Sequence, residues 1–380
     1  MTDSFIPFNR PYLTGREFEY MREAANSGQL AGDGPFTRRC HTWLERTVGC
    51  RRALLTHSCT GALEMAALLA EVGPGDEIVM PSYTFVSTAN AFALRGATPV
   101  FVDIRPDTLN IDESLVEAAL GPRTRVIVPV HYAGVACEMD AITAIAATRG
   151  LLVIEDAAQA LGSRYRGHAV GALGHLAVTS FHETKNIISG EGGALLVNDE
   201  RFAARAEIVR EKGTDRTRYM RGEIDKYSWV DLGSSFLPGE LMAAFLAAQV
   251  EVAAAITSQR LDVWTAYYER FGDLAARELI RRPVVPGHCD HNAHMFYVLV
   301  PDPAARKRVL EALNAEGIHA VFHYVPLHSS RAGRRFGRTV GDMRHTRSVS
   351  QRLIRLPLWV GMRPSDVDRI VEAVGRAIEP

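Results

Sequence analysis

The chain has 380 residues and 47% apolar content, enough for a large α/β domain and a smaller second domain with separate cores. Its 43 Lys and Arg residues are balanced by 44 Asp and Glu residues, so no overall positive field recruits nucleic acid or an anionic membrane. The sequence shows neither a signal-peptide pattern nor about 18 uninterrupted apolar residues, so we expect a cytoplasmic protein with no membrane partner.

The first half of the chain alternates between helical and strand patterns. Apolar residues at helical spacing predict helices over residues 36–49 and 59–73. Short runs rich in β-branched residues predict strands at "EIVMP", "TPVFVDI", "RVIVPVHY" and "LLVIED". This alternation predicts an α/β fold with a mostly parallel central sheet flanked by helices.

The pattern changes from about Pro238, where a long apolar helical stretch begins. It then restarts as a predicted strand at 294–300, a helix at 304–317, a strand at 319–325 and a terminal helix at 364–378. We therefore predict a large domain over residues 1–250, with the N-terminal segment included, and a smaller C-terminal α+β domain over residues 251–380.

The cysteines give no sign of a disulfide framework or a zinc site. They are odd in number and lack CxxC spacing, and they occupy positions Cys40, Cys50, Cys59, Cys137 and Cys289. We expect reduced thiols and no metal.

Small polar residues follow the predicted strand "RALLT", at the start of a predicted helix. Ser58, Cys59 and Thr60 would let backbone N–H groups approach an anion, and the helix N-terminus would add its dipole. The pattern suits a phosphate cradle. A helix cap that holds no ligand remains the alternative.

Three other strand ends carry residues with chemical potential. Asp156 ends the strand "LLVIED", Phe85 follows "EIVMP", and Lys185 with Ser180 lies in "SFHETKNIISGEGG". Taken singly, Asp156 could cap a helix and Phe85 could be core. Ligands of open α/β sheets bind at the carboxyl ends of strands, so we expect these residues to share one site.

The combination suits pyridoxal phosphate. Lys185 would form the Schiff base and Asp156 would keep the pyridine nitrogen protonated, which makes the ring an electron sink. Phe85 would stack on the ring, while Ser180 would reach the phosphate with the cradle. Each residue has an ordinary structural explanation, but together they predict this cofactor.

The segments "EDAAQALG", "SFHETKN", "GEGGALLVND" and "HYVPLH" resemble the DegT-type sugar-nucleotide aminotransferases, vitamin B6 enzymes of fold type I. The resemblance covers almost the whole chain and implies a PLP-dependent transferase fold. It implies cofactor contacts for Ser58, Cys59, Thr60, Phe85, Asp156, Gln159, Ser180 and Lys185, with Lys185 and Asp156 catalytic.

The resemblance implies transfer of an amino group from L-glutamate to C4 of a dTDP-4-keto-6-deoxyhexose, with ping-pong kinetics. Alternatives are a reaction at C3, a UDP- or GDP-sugar substrate, and a non-enzymatic regulator of the same fold. Family dehydratases carry a histidine where this chain has Lys185, which argues against dehydration.

Substrate contacts are expected in two places. His182, three residues before Lys185, could shape the sugar pocket or be a packed structural histidine. The same two interpretations hold for His323 and His328, for which the resemblance favours the mouth of the site. The basic and aromatic stretch at residues 212–229 contains Arg218, Tyr227 and Trp229, which could bind a diphosphate and a base, although most charge runs are solvated surface.

A homodimer with shared active sites is also implied. Many relatives use an asparagine to reach the cofactor phosphate of the neighbouring subunit, where this chain has Ser235. A serine hydroxyl has less reach but can donate one hydrogen bond.

Overall fold

The computed structural model describes residues 5–379. The helices are α1 (Glu17–Asn26), α2 (Pro35–Val48), α3 (Cys59–Leu69), α4 (Val86–Ala93), α5 (Glu113–Ala119), α6 (Met139–Arg149), α7 (Ala203–Arg210), α8 (Arg216–Met220), α9 (Glu240–Glu251), α10 (Ala253–Arg270), α11 (Gly272–Ala276), α12 (Pro303–Ala315), α13 (Arg331–Phe336), α14 (Arg344–Arg352) and α15 (Pro364–Ile378). The strands are β1 (Arg52–Thr56), β2 (Glu77–Pro81), β3 (Thr98–Val102), β4 (Thr124–Ile127), β5 (Leu152–Asp156), β6 (Arg164–Tyr165), β7 (His168–Ala169), β8 (Leu176–Ser180), β9 (Gly193–Val197), β10 (Cys289–Asp290), β11 (Phe296–Leu299), β12 (Arg338–Thr339) and β13 (Leu353–Leu356).

The central sheet has eight strands within residues 5–379. They run in the order β1-β9-β8-β5-β4-β2-β3-β12. Strand β9 is antiparallel to both neighbours, whereas the pairs from β8 to β12 are parallel. The prediction of an α/β fold with a mostly parallel sheet is confirmed. Because β1 and β8 are both antiparallel to β9, the carboxyl ends of β1, β2, β5 and β8 lie at one edge.

Apolar side chains bury both faces of the sheet, as a parallel sheet requires. On one face Leu63 of α3 and Phe92 of α4 pack with Ile154 of β5. On the other face Ile142 of α6 packs with Val153 of β5. Alternation along β5 therefore sends neighbouring side chains to opposite faces.

A separate apolar cluster forms in the C-terminal region. Strands β11 and β13 pair antiparallel, and Phe296 packs with Tyr267 of α10, Val309 of α12 and Ile370 of α15. Strand β12 nevertheless pairs with β3 of the central sheet. The boundary between residues 1–250 and 251–380 stays a prediction.

Two elements differ from the sequence prediction. The long helical stretch after Pro238 is broken at Val252 into α9 and α10, which bend by 62°. The segment predicted as a strand at 319–325 makes only an isolated bridge, between Val321 and Arg355, and then turns inward so that His323 can hydrogen bond to Tyr132.

No single helix in the described range is both long enough and apolar enough to cross a membrane. The bent pair α9 and α10 meets that test only when the two helices are taken together.

Candidate active site

A cavity of about 410 Å³ opens where β1, β2, β5 and β8 end. It brings together most of the residues that the sequence singled out. Its lining includes Ser58, Cys59, Thr60, Phe85, Asp156, Gln159, Ser180, His182, Lys185 and His323. The expectation that these strand ends lie together agrees with the shared cavity, while the ligand contacts of its lining residues stay predictions.

The start of α3 forms one wall of the cavity. Ser58 caps this helix, since its hydroxyl accepts a hydrogen bond from the N–H of Gly61 at 3.0 Å. The hydroxyl of Thr60 lies 2.8 Å from that of Ser87. A Cβ at Gly193 would collide with the backbone of Cys59, so glycine is required for β9 to start beside the helix. First-turn N–H groups have no intrahelical acceptor and favour a phosphate.

Asp156 lies at the end of β5 and is only 5% exposed. One carboxylate oxygen accepts a hydrogen bond from the hydroxyl of Thr88 at 2.7 Å, and the other accepts one from the N–H of Ala158 at 3.1 Å. These two donors are neutral and fix the orientation of the carboxylate. Its remaining acceptor capacity can serve a cationic N–H of a ligand.

Lys185 follows β8 in a loop that hydrogen bonds to the segment at residues 292–294. The neighbouring Asn186 is buried, donates a hydrogen bond to the carbonyl of Asn292 at 2.7 Å and contacts the ring of His294 at 3.1 Å. Within residues 5–379 the Lys185 amine forms no hydrogen bond or ion pair. Burial lowers its pKa, although Cys59 and Asp156 act in the opposite direction. A lowered pKa increases the fraction of neutral amine, the form that acts as nucleophile and base.

Aromatic side chains form another wall of the cavity, which also contains the start of α3. Phe85 is 56% exposed, and its ring centre is 6.3 Å from that of Tyr324. The amide of Gln159 donates to the hydroxyl of Tyr324 at 3.0 Å. Next to it, the His323 ring lies 2.7 Å from the Tyr132 hydroxyl, and burial holds the pKa of His323 well below its usual value. A flat ring can enter between these groups and the small residues of the cradle.

His182 and Ser180 complete the predicted set at the end of β8. The Ser180 hydroxyl is the acceptor for the N–H of His182 at 3.4 Å. The His182 ring is 2.9 Å from the Thr184 hydroxyl and 3.7 Å from the Glu191 carboxylate, at the rim of the cavity.

Other predicted contacts lie outside this cavity in the same chain. The His328 ring is 2.7 Å from the Ser82 hydroxyl and is not part of the cavity wall. Ser235 is exposed and makes an isolated bridge to Glu211. Their ligand contacts stay predictions.

The basic stretch at 212–229 is also separate from the cavity. Arg218 pairs with Glu223 at 3.3 Å, while Tyr227 and Trp229 are 50% and 76% exposed. The rings of Tyr219 and Tyr227 are 5.7 Å apart.

The sequence prediction missed several cavity residues, including Thr88, His294, Tyr324 and Arg355. Thr88 lies three residues after Phe85, one helical turn away, which could have identified it. Tyr324 stands in the quoted motif "HYVPLH". Arg355 is a charge inside the apolar run "LIRLPL", and such a charge is a signal for a partner or ligand. Nothing in the local pattern of His294 indicated the cavity.

The cavity fits pyridoxal 5'-phosphate. The start of α3 and the nearby hydroxyls can bind a phosphate. The Asp156 carboxylate, whose protein donors are neutral, can accept a hydrogen bond from a pyridine N–H. The Lys185 amine has no hydrogen bond or ion pair within residues 5–379 and is available to the cofactor. Within the described residues no group of three or more His, Cys, Asp or Glu side chains is placed to hold a metal ion.

Comparisons with known proteins agree with this chemistry. Residues 11–375 match the DegT/DnrJ/EryC1/StrS aminotransferase family. The spore coat polysaccharide biosynthesis protein SpsC of Bacillus subtilis (strain 168) is 33% identical over 383 aligned residues, covering 97% of this chain and 96% of SpsC.

Solved structures are similar over the whole fold. DesV of S. venezuelae, in complex with a ketimine intermediate, is 29% identical with a TM-score of 0.90 and 99% of both chains covered. Spr1654 of Streptococcus pneumoniae, in its PMP form, is 26% identical with a TM-score of 0.91, covering 98% of this chain and 99% of that one.

Proposed function

This chain belongs to the DegT/DnrJ/EryC1/StrS aminotransferase family, and we propose that it transfers an amino group from L-glutamate to C4 of a dTDP-4-keto-6-deoxyhexose. That it is a PLP-dependent sugar aminotransferase follows from the family and from its relatives, so the predicted enzyme class and cofactor are confirmed. The alternative of a non-enzymatic regulator is not retained.

The observation that carries the proposal concerns the Lys185 amine. Lys185 lines the cavity, its amine forms no hydrogen bond or ion pair within residues 5–379, and its pKa is lowered. Asp156 lies in the same cavity, held by Thr88. Bound pyridoxal phosphate supplies an electron sink that makes the C–H bond next to an amino group breakable. The start of α3, Thr60 and Ser180 would hold its phosphate, and Asp156 would accept the N–H of its ring.

Lys185 is then the proton carrier. Its amine takes the proton from the α-carbon of the amino donor, and in the second half-reaction it delivers a proton to the sugar carbon. Burial favours the neutral amine that the first of these steps requires. Thr88 acts through Asp156, because its hydrogen bond holds the carboxylate in one orientation.

The choice of C4 and of a dTDP-sugar rests on sequence resemblance. Stretches such as "MPSYTFVSTANAFALRGA" and "VPVHYAGVACEMD" resemble dTDP-4-amino-4,6-dideoxygalactose transaminase. A reaction at C3, or on a UDP- or GDP-sugar, uses the same residues around Lys185 and is the second candidate.

A homodimer with shared sites and a cytoplasmic location are parts of the proposal. Ser235, Tyr227 and Trp229 are exposed and lie outside their own chain's cavity, which suits contacts to a neighbouring subunit. All five cysteines are free, four of them buried, which suits a reducing compartment.

The direct test is product analysis. Purified enzyme loaded with pyridoxal phosphate is mixed with L-glutamate and dTDP-4-keto-6-deoxyglucose, and the amino sugar is assigned by NMR. A new amine at C4 is expected, and the spectrum also assigns its gluco or galacto configuration. Absence of that product, with turnover of a 3-keto sugar or of a UDP- or GDP-sugar, would overturn the proposed substrate in favour of the second candidate.

A further inference from the structure

His294 is a histidine in the wall of the cavity that the chemistry above does not use. It is 6% exposed and lies just before β11. Its backbone N–H donates to the side-chain oxygen of Asn292 at 3.0 Å. The side chain of Asn292 also donates to the carbonyls of Gln159 and Leu161, at 2.9 and 3.0 Å. The imidazole is therefore held close to the segment that carries Gln159.

One contact determines which nitrogen of the His294 ring carries the proton. The side-chain N–H₂ of Asn186 donates to the carbonyl of Asn292 at 2.7 Å, so its side-chain oxygen faces Nδ1 of His294 at 3.1 Å. An amide oxygen can only accept, so Nδ1 carries the proton and donates it. Burial holds the pKa of His294 well below its usual value, and Lys185 and Arg355 lower it further. A neutral imidazole has one ring N–H, so Nε2 is an acceptor.

This acceptor and the amine of Lys185 both lack a protein partner. Within residues 5–379 Nε2 of His294 makes no hydrogen bond, and the Lys185 amine makes none either. The two side chains line the same cavity, and Lys185 is the charged group with the largest effect on the pKa of His294. The amine of a lysine moves on a flexible four-carbon chain. A mobile donor and a fixed acceptor therefore lie in one cavity.

We propose that His294 is a positioning residue for Lys185, whose free amine donates a hydrogen bond to Nε2 of the imidazole. This inference rests on the proposed function for the role of Lys185 as proton carrier. An N–H directed at Nε2 fixes the direction of the amine lone pair, which takes the proton from the α-carbon of the amino donor. Once the amine has that proton it is a cation, and the same acceptor stabilises it by a charge-assisted hydrogen bond.

Arg355 is the other cation near this acceptor. It lines the cavity, and its Nε is a buried donor without a partner. Its guanidinium carbon lies 4.8 Å from the centre of the Phe8 ring, and its backbone forms two hydrogen bonds with Val321. These contacts restrict the guanidinium, whereas no hydrogen bond within the described residues restricts the Lys185 amine. Lys185 is therefore the donor that we assign to Nε2.

Two substitutions separate the acceptor from the contact with Asn186. In His294→Asn the side-chain amide branches at the position of Nδ1, so it can keep that contact but has no atom at the position of Nε2. In His294→Gln the amide lies one bond farther out, so its oxygen can replace Nε2 while the contact with Asn186 is lost. A purely structural role makes His294→Asn the milder change, whereas positioning of Lys185 makes it the more severe one.

The first half-reaction measures this difference. Enzyme loaded with pyridoxal phosphate is mixed with L-glutamate alone, and the absorbance change of the cofactor is followed. His294→Asn should lower the maximal rate about 30-fold and change the half-saturating glutamate concentration by less than about twofold. His294→Gln should recover most of the maximal rate. A milder effect of His294→Asn than of His294→Gln would overturn the inference.

His291→Asn is the matched control. This histidine is three residues earlier and outside the cavity wall. Its Nδ1 accepts a hydrogen bond from the N–H of Ala293 at 3.2 Å, and an asparagine oxygen can keep that contact. His291→Asn should leave the maximal rate unchanged. Circular dichroism and the thermal midpoint should show that all three variants are folded.

NMR of the cofactor-free enzyme gives a readout that does not need turnover. In histidine-labelled protein the ¹⁵N signals of His294, identified by their loss in His294→Asn, should show a protonated Nδ1 and an unprotonated Nε2. Lys185→Met should shift the Nε2 signal because it removes the donor, and Arg355→Met should shift it less.

A protonated Nε2, an unmoved Nε2 signal in Lys185→Met, or a larger shift in Arg355→Met would each overturn the inference. If Lys185→Met moves the signal but the wild type makes no amino sugar from L-glutamate, the proposed function fails and the hydrogen bond between Lys185 and His294 stands.

Discussion

The cavity and the basic stretch at residues 212–229 both contain cationic side chains, but they differ in whether those side chains form ion pairs. In the cavity, Lys185 and Arg355 have no ion-pair partner among the described residues. In the stretch, Lys212 and Arg216 each lie 3.4 Å from the carboxylate of Glu211. A cation that the protein leaves without a partner is available to a ligand, whereas a paired one is occupied.

The energetic reason is solvent. Ion pairs at the surface contribute about 0–1 kcal/mol, so Arg218 with Glu223, both largely exposed, can separate at little cost. An arginine at the surface can therefore change partners when a substrate or second subunit arrives. A poorly solvated cation is not stabilised by water in this way. Its lack of an anion is therefore stronger evidence for a ligand site than a paired arginine at the surface is.

The largest effect is expected at Lys185. Lys185→Ala should reduce turnover by about 10⁴-fold or more, because both the nucleophile and the proton carrier are lost. Turnover is measured with saturating L-glutamate and nucleotide sugar, and circular dichroism checks the fold. Lys307→Ala, at an exposed lysine of α12 that pairs with Glu311, is the control. Near-normal turnover in Lys185→Ala would remove this residue from its assigned role.

A slightly smaller effect is expected at Asp156, the carboxylate that lines the same cavity as Lys185. Asp156→Asn should reduce turnover by about 10³-fold, because a neutral amide does not hold a proton on the cofactor ring. Thr88→Val should cost about tenfold, since it removes the hydrogen bond that orients Asp156, together with the 2.9 Å contact to the Thr84 hydroxyl, and leaves the carboxylate in place. Thr88→Ser keeps the hydroxyl and should remain near wild type. Equal turnover in Thr88→Val and wild type would contradict the orienting role.

A moderate effect tests whether the basic stretch serves the neighbouring subunit. Chains with Lys185→Ala and chains with Arg218→Ala, each inactive alone, are mixed and allowed to exchange subunits. Shared sites should restore up to about a quarter of the activity under random assortment, since one site in a heterodimer receives both intact halves. Each of the two variants must first show no turnover alone, whereas Arg277→Ala, at an exposed arginine elsewhere, should stay active alone and controls for the loss of a surface arginine. Verified heterodimers without recovered activity would contradict sharing.

The smallest effect concerns acid stability. Burial lowers the pKa of His291 to about 4, against about 6.5 in an unfolded chain. The unfolded state therefore binds more protons between these values, and stability falls as the pH drops through this window, by about 1.4 kcal/mol per pH unit for this residue. Urea unfolding at pH 7.5 and 5 should show a smaller pH dependence in His291→Gln. Arg218→Ala should leave it unchanged, and the opposite ranking would contradict the assignment.

The sequence pattern was most informative where local periodicity and chemistry coincide. Strand β2 covers the predicted "EIVMP" run, and Asp156 and Lys185 were recognisable because polar residues directly follow apolar strands. It was least informative in the C-terminal region. The alternating run at 319–325 is not a strand, because a buried hydrogen bond between His323 and Tyr132 directs it into the cavity.

By itself the sequence determined the α/β alternation, the strand ends that carry chemistry, and the combination of amine, carboxylate and cradle. These follow from periodicity and from residue type, which are local properties. Only the tertiary structure decided which remote residues complete the cavity, since His294 and Arg355 come from C-terminal segments far in the chain from Asp156 and Lys185. Whether a charge is paired or left for a ligand depends on those long-range contacts, and a linear pattern of residues does not contain them.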